Sequence, residues 1–429
     1  MTTKEKITSK KANVAVVGLG YVGLPLALTI ASAGFSVLGI EKSSEKLALL
    51  KKGKSYIEDV NDDEVREKVD AGNFKASDDC SLLKECDVIL VCVPTPLDAY
   101  GIPDTRFIKG ATEDIAPHLR KGTLVILEST TYPGCTEELV QPLLEKGGLK
   151  AGVDFYLVFS PERIDPGNKS YPLSNIPKVV GGINEASSEL AALFYAHFTP
   201  KPYVVSSLKA AEMTKLLENI FRLVNISFIN ELKLICDKMG IDIWEVIEAA
   251  KTKPYGFMPF YPGPGVGGHC IPEDPFYLSW KAREYGFYAR FIELAGEIND
   301  LMPHTVVTKV IWALNREKKS VNGAKILILG VAYKKDIGDM RQSPALKVLW
   351  DLLRKKADVS YHDPFVPRVQ IDGETRSSVD LTEKAIKRAD LVLILADHSS
   401  LDYEKIAKQA KLIVDTRHAV KTKHPHVIT

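Results

Sequence analysis

A short β-branched run, Asn13-Val14-Ala15-Val16-Val17, ends in Gly18-Leu19-Gly20-Tyr21-Val22-Gly23 and leads into an apolar-periodic segment from Tyr21 to Ala33. A second such run, Phe35 to Ile40, stops at Glu41. Few patterns restrict a fold more. A G-x-G-x-x-G that closes a strand and opens a helix puts backbone N–H groups at a helix N-terminus, where unsatisfied donors and the helix dipole favour an anion. Gly18 makes the tight turn, Gly20 lets a pyrophosphate approach the backbone, and Gly23 lets helix and strand pack closely. Glu41 follows at about twenty residues, where a carboxylate accepts hydrogen bonds from an adenosine ribose and repels a 2′-phosphate. The stretch predicts a dinucleotide site that takes NAD in preference to NADP. Lys42 works slightly against that preference.

The strand–helix alternation continues. Strands are expected at Asp87–Val93, ending Pro94-Thr95-Pro96, at Leu124–Leu127, ending Glu128-Ser129-Thr130-Thr131, and at Phe155–Phe159, ending Ser160-Pro161-Glu162-Arg163. A helix is expected over Thr105–His118. In open α/β sheets ligands bind beyond the carboxyl ends of the strands, so Pro94, Thr95, Thr130, Glu162 and Arg163 fall near the cofactor. Each also suits a cap or a turn. From Ser206 the pattern changes. Leu208–Met239 reads as one long helix without Pro or Gly, suited to bridge domains or build a dimer core. Lys215 and Asn219 stand four apart on it and share a face. More helix is expected at Trp244–Ala250, Pro275–Tyr285 and Ala289–Asn315.

A third section opens with a strand at Ile326–Gly330 and continues with a helix at Pro344–Lys356. Further strands are expected at Val359–Tyr361, Leu391–Leu395 and Leu412–Val414. Its first turn has a single glycine, so it is no second dinucleotide fingerprint. It carries Lys334 and Arg341, two cations that suit a nucleotide diphosphate or else form a solvated charge run. At 429 residues the chain is too long for one core. The expected fold is α/β: two Rossmann-like doubly wound domains joined by a central helical domain with a long bridging helix. The boundaries fall at 1–205, 206–315 and 316–429.

The central section ends in Pro262-Gly263-Pro264-Gly265-Val266-Gly267-Gly268-His269-Cys270-Ile271-Pro272-Glu273-Asp274-Pro275. Four glycines and four prolines in this stretch predict a rigid loop with exposed backbone N–H groups. Cys270 there is either a nucleophile or a thiol under a tight turn. Net charge is +1, with 26% charged residues, which gives no reason to propose nucleic acid or an anionic membrane as partner. Apolar runs are of strand length, so no membrane span is expected. The polar, Lys-rich start, Met1 to Lys11, reads as a frayed end rather than a signal peptide. The six cysteines lack C-x-x-C or metal-ligand spacing, which predicts a reduced cytoplasmic protein with no metal site. An NAD site joined to a thiol, a lysine and paired acids admits a two-step oxidation. An alcohol gives an aldehyde, the cysteine traps it as a thiohemiacetal, a second oxidation gives a thioester, and hydrolysis releases an acid.

The chain resembles the UDP-glucose/GDP-mannose dehydrogenase family, the nucleotide-sugar 6-dehydrogenases, from Asn13 to His418. The resemblance rests on Gly18-Leu19-Gly20-Tyr21-Val22-Gly23-Leu24-Pro25, Val93-Pro94-Thr95-Pro96, Glu128-Ser129-Thr130, Ser160-Pro161-Glu162-Arg163, Lys215-xxx-Asn219, Gly267-Gly268-His269-Cys270-Ile271-Pro272, and Ala332-Tyr333-Lys334 with Arg341. Phe260 to Gly286 and Arg290 to Asn299 are most similar to the branch acting on UDP-N-acetylglucosamine. The resemblance implies that Cys270 is the nucleophile, that Lys215 acts as acid/base or holds an oxyanion shared with Asn219, and that Asp274 orients Lys215 or helps activate the hydrolytic water. It implies that Thr130 and Glu162 position a water. NAD would contact Gly18, Gly20, Tyr21, Val22, Gly23, Glu41, Pro94, Thr95 and Thr130, with Arg341 reaching the cofactor. A UDP-sugar would be held by Glu162, Arg163, Lys215, Asn219, by backbone groups of Gly265, Val266 and Gly267, and by Tyr333 and Lys334. It also implies a homodimer through the long helix.

Two positions depart from the UDP-glucose enzymes. Those commonly carry Pro-Lys-Asp after the cysteine, where this chain has Pro272-Glu273-Asp274. They also carry an acid four residues beyond the Pro-Glu glutamate, where this chain has Pro166, with Asp165 one residue earlier. The second difference, with Pro161-Glu162-Arg163, favours a UDP-N-acetylhexosamine, UDP-GlcNAc first, over UDP-glucose, with UDP-ManNAc and UDP-GalNAc as alternatives. A single-step hydroxyacid dehydrogenase would need no thiol loop and no third domain. A non-catalytic NAD-binding protein would not need Lys215, Asn219, Cys270 and Asp274 together. His269 is either structural or a contributor to thiol acidity.

Overall fold

The computed structural model describes residues 1–57, 60–98, 101–163 and 175–429; Asp165 and Pro166 lie outside them. The chain forms two compact units. One comprises Met1–Glu218 with Trp280–Phe287, the other Asn219–Ser279 with Tyr288–Thr429.

The first unit is built on an eight-stranded sheet: β1 (Asn13–Val17), β2 (Ser36–Ile40), β3 (Phe74–Ser77), β4 (Val88–Val91), β5 (Leu124–Leu127), β6 (Tyr156–Phe159), β7 (Val179–Gly182) and β8 (Tyr203–Val205), in the order β3-β2-β1-β4-β5-β6-β7-β8. All neighbours run parallel except β6 and β7. Every residue of β4 and β5 is buried, as befits strands covered on both faces. The chain leaves β1 in one direction for β2 and β3 and in the other for β4, so the end of β1 is a topological switch point. The Gly-rich turn sits there. Tyr21 and Val22 belong to that turn, and the helix runs Gly23–Ser32, starting two residues later than the periodicity alone suggests.

The expectation of a frayed start is overturned. Thr3–Thr8 is a helix with a capping box from Thr2 and Glu5. Ile7 is fully buried in the sheet core, and Lys6 Nζ lies 2.6 Å from the buried Asp87 carboxylate. One apolar residue and one cation with a buried partner suffice to tie the segment down.

The long helix spans Leu208–Met239, as the sequence predicts, about 48 Å at 1.5 Å per residue. The second unit holds helices Ile243–Lys251 and Arg290–Arg316 and a parallel sheet of β9 (Lys325–Leu329), β10 (Asp358–His362), β13 (Leu391–Ile394), β14 (Ile413–Asp415) and β15 (Val427–Ile428), in the order β10-β9-β13-β14-β15. A separate hairpin pairs β11 (Arg368–Ile371) with β12 (Glu374–Ser377). Val306, Val310 and Leu314 of the helix Arg290–Arg316 share one core with Ile326, Ile328 and Val348. Again the order reverses, here between β9 and β13. Helix Cys270–Glu284 corrects another expectation. The sequence pattern predicts a start at Pro275, whereas the helix begins at Cys270. Pro272 falls in the first turn, where a missing N–H costs nothing, and only Pro275 forfeits a bond inside the helix. The thiol is therefore the first residue of a helix rather than the middle of a loop. Among the described residues no helix is long and apolar enough to cross a membrane.

Candidate functional site

At the switch point of the first unit, Gly18 has φ +91°, and a Cβ on it would lie 2.6 Å from the Cys92 carbonyl oxygen. A Cβ on Gly23 would stand 1.8 Å from the Gly18 carbonyl oxygen. The space over Gly20 is open, with nothing within 4 Å of where its Cβ would be. Two of the glycines are thus demanded by packing and the middle one leaves room for a ligand. At the end of β2, Glu41 accepts from the backbone N–H groups of Leu19 at 3.3 Å and Ser43 at 3.0 Å. Lys42 reaches instead to Asp114 at 2.7 Å, and that hydrogen bond raises its pKa. Lys42 is thus already engaged, while Lys46 Nζ lies 3.4 Å from Glu41 Oε2. Ser129 Oγ accepts from Val93 N at 2.9 Å and donates to Val93 O at 2.8 Å. It therefore holds the end of β4, with Pro94 and the buried Thr95, beside Thr130. An open glycine turn and a tethered carboxylate at the end of β2 are features that suit a dinucleotide.

A charged cluster lies at the ends of β5 and β6 and the start of β7. Lys178 Nζ is 2.7 Å from Glu128 Oε2, 3.0 Å from the Pro161 carbonyl and 3.4 Å from Glu162 Oε2. Tyr195 donates its hydroxyl to the other Glu128 oxygen. Lys178 is 1% exposed. Burial pushes its ammonium down, but the Glu128 and Glu162 carboxylates outweigh this and hold its pKa above the ordinary lysine value. Sequence reasoning missed Lys178, because an isolated lysine before a strand carries no signal. Arg163 forms a two-pronged pair with Glu218, at 2.6 and 3.2 Å, and donates to the Pro177 carbonyl at 2.9 Å. On the long helix Lys215 is buried, one turn before Asn219.

In the second unit Asn219 donates to Asp274 Oδ2 at 2.5 Å, and both are buried. Cys270, four residues before Asp274 on the same helix, is exposed. Glu273 stands where the UDP-glucose enzymes carry lysine. It takes a hydrogen bond from Gln342 at 3.3 Å and lies 3.7 Å from His269 Nε2. Burial lowers the His269 pKa. The approach to Cys270 is held by two asparagines that the sequence did not flag: Asn230 accepts from Gly263 N at 2.9 Å and Asn299 from Val266 N at 2.6 Å. The Val266 N–H, expected to face a sugar, is thus bonded within the protein. A Cβ on Gly267 would lie 2.6 Å from Tyr333 Cβ, and one on Gly263 2.5 Å from Arg417 Nη1. These glycines admit neighbouring side chains, a use that spacing alone did not reveal.

Past β9, Val331 and Ala332 donate to Asp363 Oδ2, at 2.7 and 3.1 Å. Tyr333 and Lys334 follow. Arg341 is paired with Asp339, Nη2 to Oδ2 at 2.6 Å, and its carbonyl accepts from Gly268 N at 2.9 Å. The turn beyond β9 and the segment before Cys270 are thus joined directly.

Three profiles of the UDP-glucose/GDP-mannose dehydrogenase family match: the NAD binding domain over residues 12–199, the central domain over 209–301 and the UDP binding domain over 327–422. The chain belongs to this family. As a member it is an NAD-dependent nucleotide-sugar 6-dehydrogenase. It is 39% identical to the UDP-N-acetyl-D-glucosamine 6-dehydrogenase of Pseudomonas aeruginosa over 83% of this chain and 84% of that one. It is 36% identical to the UDP-N-acetyl-D-mannosamine dehydrogenase of Pyrococcus horikoshii over 95% and 96% of the two chains. The solved structure of a UDP-D-ManNAc dehydrogenase from Pyrococcus horikoshii superposes with a TM-score of 0.88 at 36% identity, covering 97% of this chain and 98% of that one. The open glycine turn lies within the matched NAD binding domain, and the turn beyond β9 within the matched UDP binding domain.

Proposed function

We propose that this dehydrogenase oxidises the C6 hydroxyl of a UDP-N-acetylhexosamine, UDP-GlcNAc foremost, through aldehyde, thiohemiacetal and thioester to the uronic acid. The observation that carries the chemistry is the exposed Cys270 thiol one helical turn before Asp274, whose carboxylate is tied to Asn219. NAD, when bound, supplies the hydride acceptor for both oxidations. The chain supplies the rest. Cys270 Sγ adds to the C6 aldehyde carbon: the C–S bond forms, the C=O π bond opens, and the thiol proton ends on the former carbonyl oxygen as the thiohemiacetal hydroxyl. Lys215 donates to the oxygen that gains charge, and Asn219 shares it. Asp274 accepts a proton from the water that attacks the thioester and breaks the C–S bond. Glu162, fixed by Lys178, and Thr130 hold a water for proton transfer in the first oxidation. Arg163 helps to seat the sugar.

The choice of sugar rests on Pro161-Glu162-Arg163, on the runs Phe260 to Gly286 and Arg290 to Asn299, and on relatives named for N-acetylated sugars. Among the described residues no two cysteines are bonded, which suits work in the reducing cytoplasm. NADH release on UDP-GlcNAc, UDP-ManNAc, UDP-GalNAc and UDP-glucose tests the assignment. Two NADH per acid are expected, with UDP-GlcNAc turned over fastest. A preference for UDP-glucose would overturn the choice of sugar. Full acid formation by Cys270→Ser would overturn the thioester route.

A further inference from the structure

His398 is fully buried just past the end of β13, in no recognisable motif. Its Nδ1 accepts from the Asp336 backbone N–H at 2.9 Å, so that nitrogen carries no proton. The proton therefore sits on Nε2, which donates to Asp363 Oδ2 at 3.1 Å. The same Oδ2 accepts from Val331 N and Ala332 N, and Oδ1 accepts from Phe365 N at 2.9 Å and Val366 N at 3.1 Å. The pair thus grips one short segment at both ends: Asp363 at residues 331–332, His398 at residue 336. Between them lie Tyr333 and Lys334.

The far end of the turn needs such a grip. Asp336 has φ +62°, a left-handed conformation uncommon for a residue other than glycine, though aspartate takes it more readily than most. Its carboxylate is held by Ser399 N at 2.7 Å and Ser399 Oγ at 2.6 Å, one residue beyond His398. The Phe365 ring closes the other side of the imidazole, 5.1 Å between centroids. The position of Tyr333 matters in turn to the segment before Cys270, because its ring atoms come within 3.0 Å of where a Cβ on Gly268 would stand.

We propose that the buried Asp363–His398 pair positions the UDP-sugar: it fixes the turn 331–336 so that Tyr333 and Lys334 meet the nucleotide without reordering on binding. This rests on reading that turn as part of the UDP site. His398 touches no substrate; it acts through the turn. Calorimetric binding of UDP to the full chain, with steady-state kinetics on the UDP-sugar, tests the role. His398→Leu removes both bonds. It should weaken UDP binding and raise the UDP-sugar KM by about tenfold, leaving NAD affinity unchanged. His398→Asn keeps an acceptor near the Nδ1 position and should recover more UDP affinity than His398→Gln, which keeps only a donor near Nε2. UDP affinity within about twofold of the parent in His398→Leu, well below the expected loss, overturns the proposal. Should that variant not fold, parental UDP affinity in both the Asn and Gln variants overturns it equally. Lys334→Met separates the two layers. If it weakens UDP binding while His398→Leu does not, only the positioning role falls. If it leaves UDP binding unchanged, the reading of the turn falls and the positioning role with it.

Discussion

Lys178 shows most clearly what a single residue contributes here. It is buried between Glu128 and Glu162 at 2.7 and 3.4 Å. Removing one partner of a buried ionic group leaves uncompensated charge and costs about 3–5 kcal/mol. Lys178→Met should therefore lower unfolding stability by that order in chemical denaturation, whereas Lys178→Arg, which keeps the charge, should lose less. The same loss frees Glu162, so residual kcat should fall. Glu41 makes a second prediction. With Leu19 N and Ser43 N already bonded to it, its carboxylate is held in place, and we propose that it receives the adenosine ribose. Glu41→Ala should raise the NAD KM by about tenfold and narrow the preference over NADP, read as the ratio of kcat/KM for the two cofactors. Glu41 was legible because it ends a strand at a set distance from a glycine turn. Glu162 was legible because it follows a strand. Lys178 was not, since only the folded sheet brings it between two carboxylates.

At the level of elements, the strands and long helices were plain from periodicity, and their ends were not. The helix over Cys270–Glu284 is the instructive case. Proline ordinarily bars continuation, so a boundary at Pro275 is the natural reading, yet a helix tolerates it when the first turn already lies before it. The glycines ahead of that helix read as a ligand cradle, whereas in the structure Gly267 and Gly268 receive the Tyr333 side chain. Gly267→Ala should cost about 1–3 kcal/mol from overpacking and should raise the UDP-sugar KM, measured beside an unfolding curve. The turn beyond β9 adds a pH signature. Burial pushes the Asp363 carboxyl up, but the His398 hydrogen bond, with backbone donors from Val331 and Phe365, holds it below the usual carboxylate range. A depressed folded pKa gives stability that is full above the unfolded value of about 3.9 and is lost as pH falls through the folded one. Asp363→Asn should thus be less stable at neutral pH and show a shallower loss below about pH 4, read by thermal unfolding across pH.

For the whole molecule, the decisive surface is the outer face of the long helix. One face is buried, through Leu216, Leu223 and Ile229. The opposite face exposes Leu217, Phe221, Phe228 and Ile235 to 59, 47, 55 and 46%. The last three recur every seven residues and Leu217 precedes Phe221 by four, the spacing of a seam between paired helices. Monomeric proteins in water seldom expose so long an apolar stripe. We infer that a second copy of the chain covers it, because a two-fold axis across the helix sets the same stripe against itself. Light scattering behind size exclusion should then give twice the chain mass of 47.4 kDa. Phe221→Glu with Phe228→Glu should shift the mass towards that of a single chain, since charges facing each other across an apolar seam oppose pairing. UDP binding should survive in that variant, because Asp363, His398 and the turn they hold lie within one chain. A parent chain that runs as a monomer at micromolar concentration would refute the dimer. A dimer unchanged by both glutamates would move the interface off this helix.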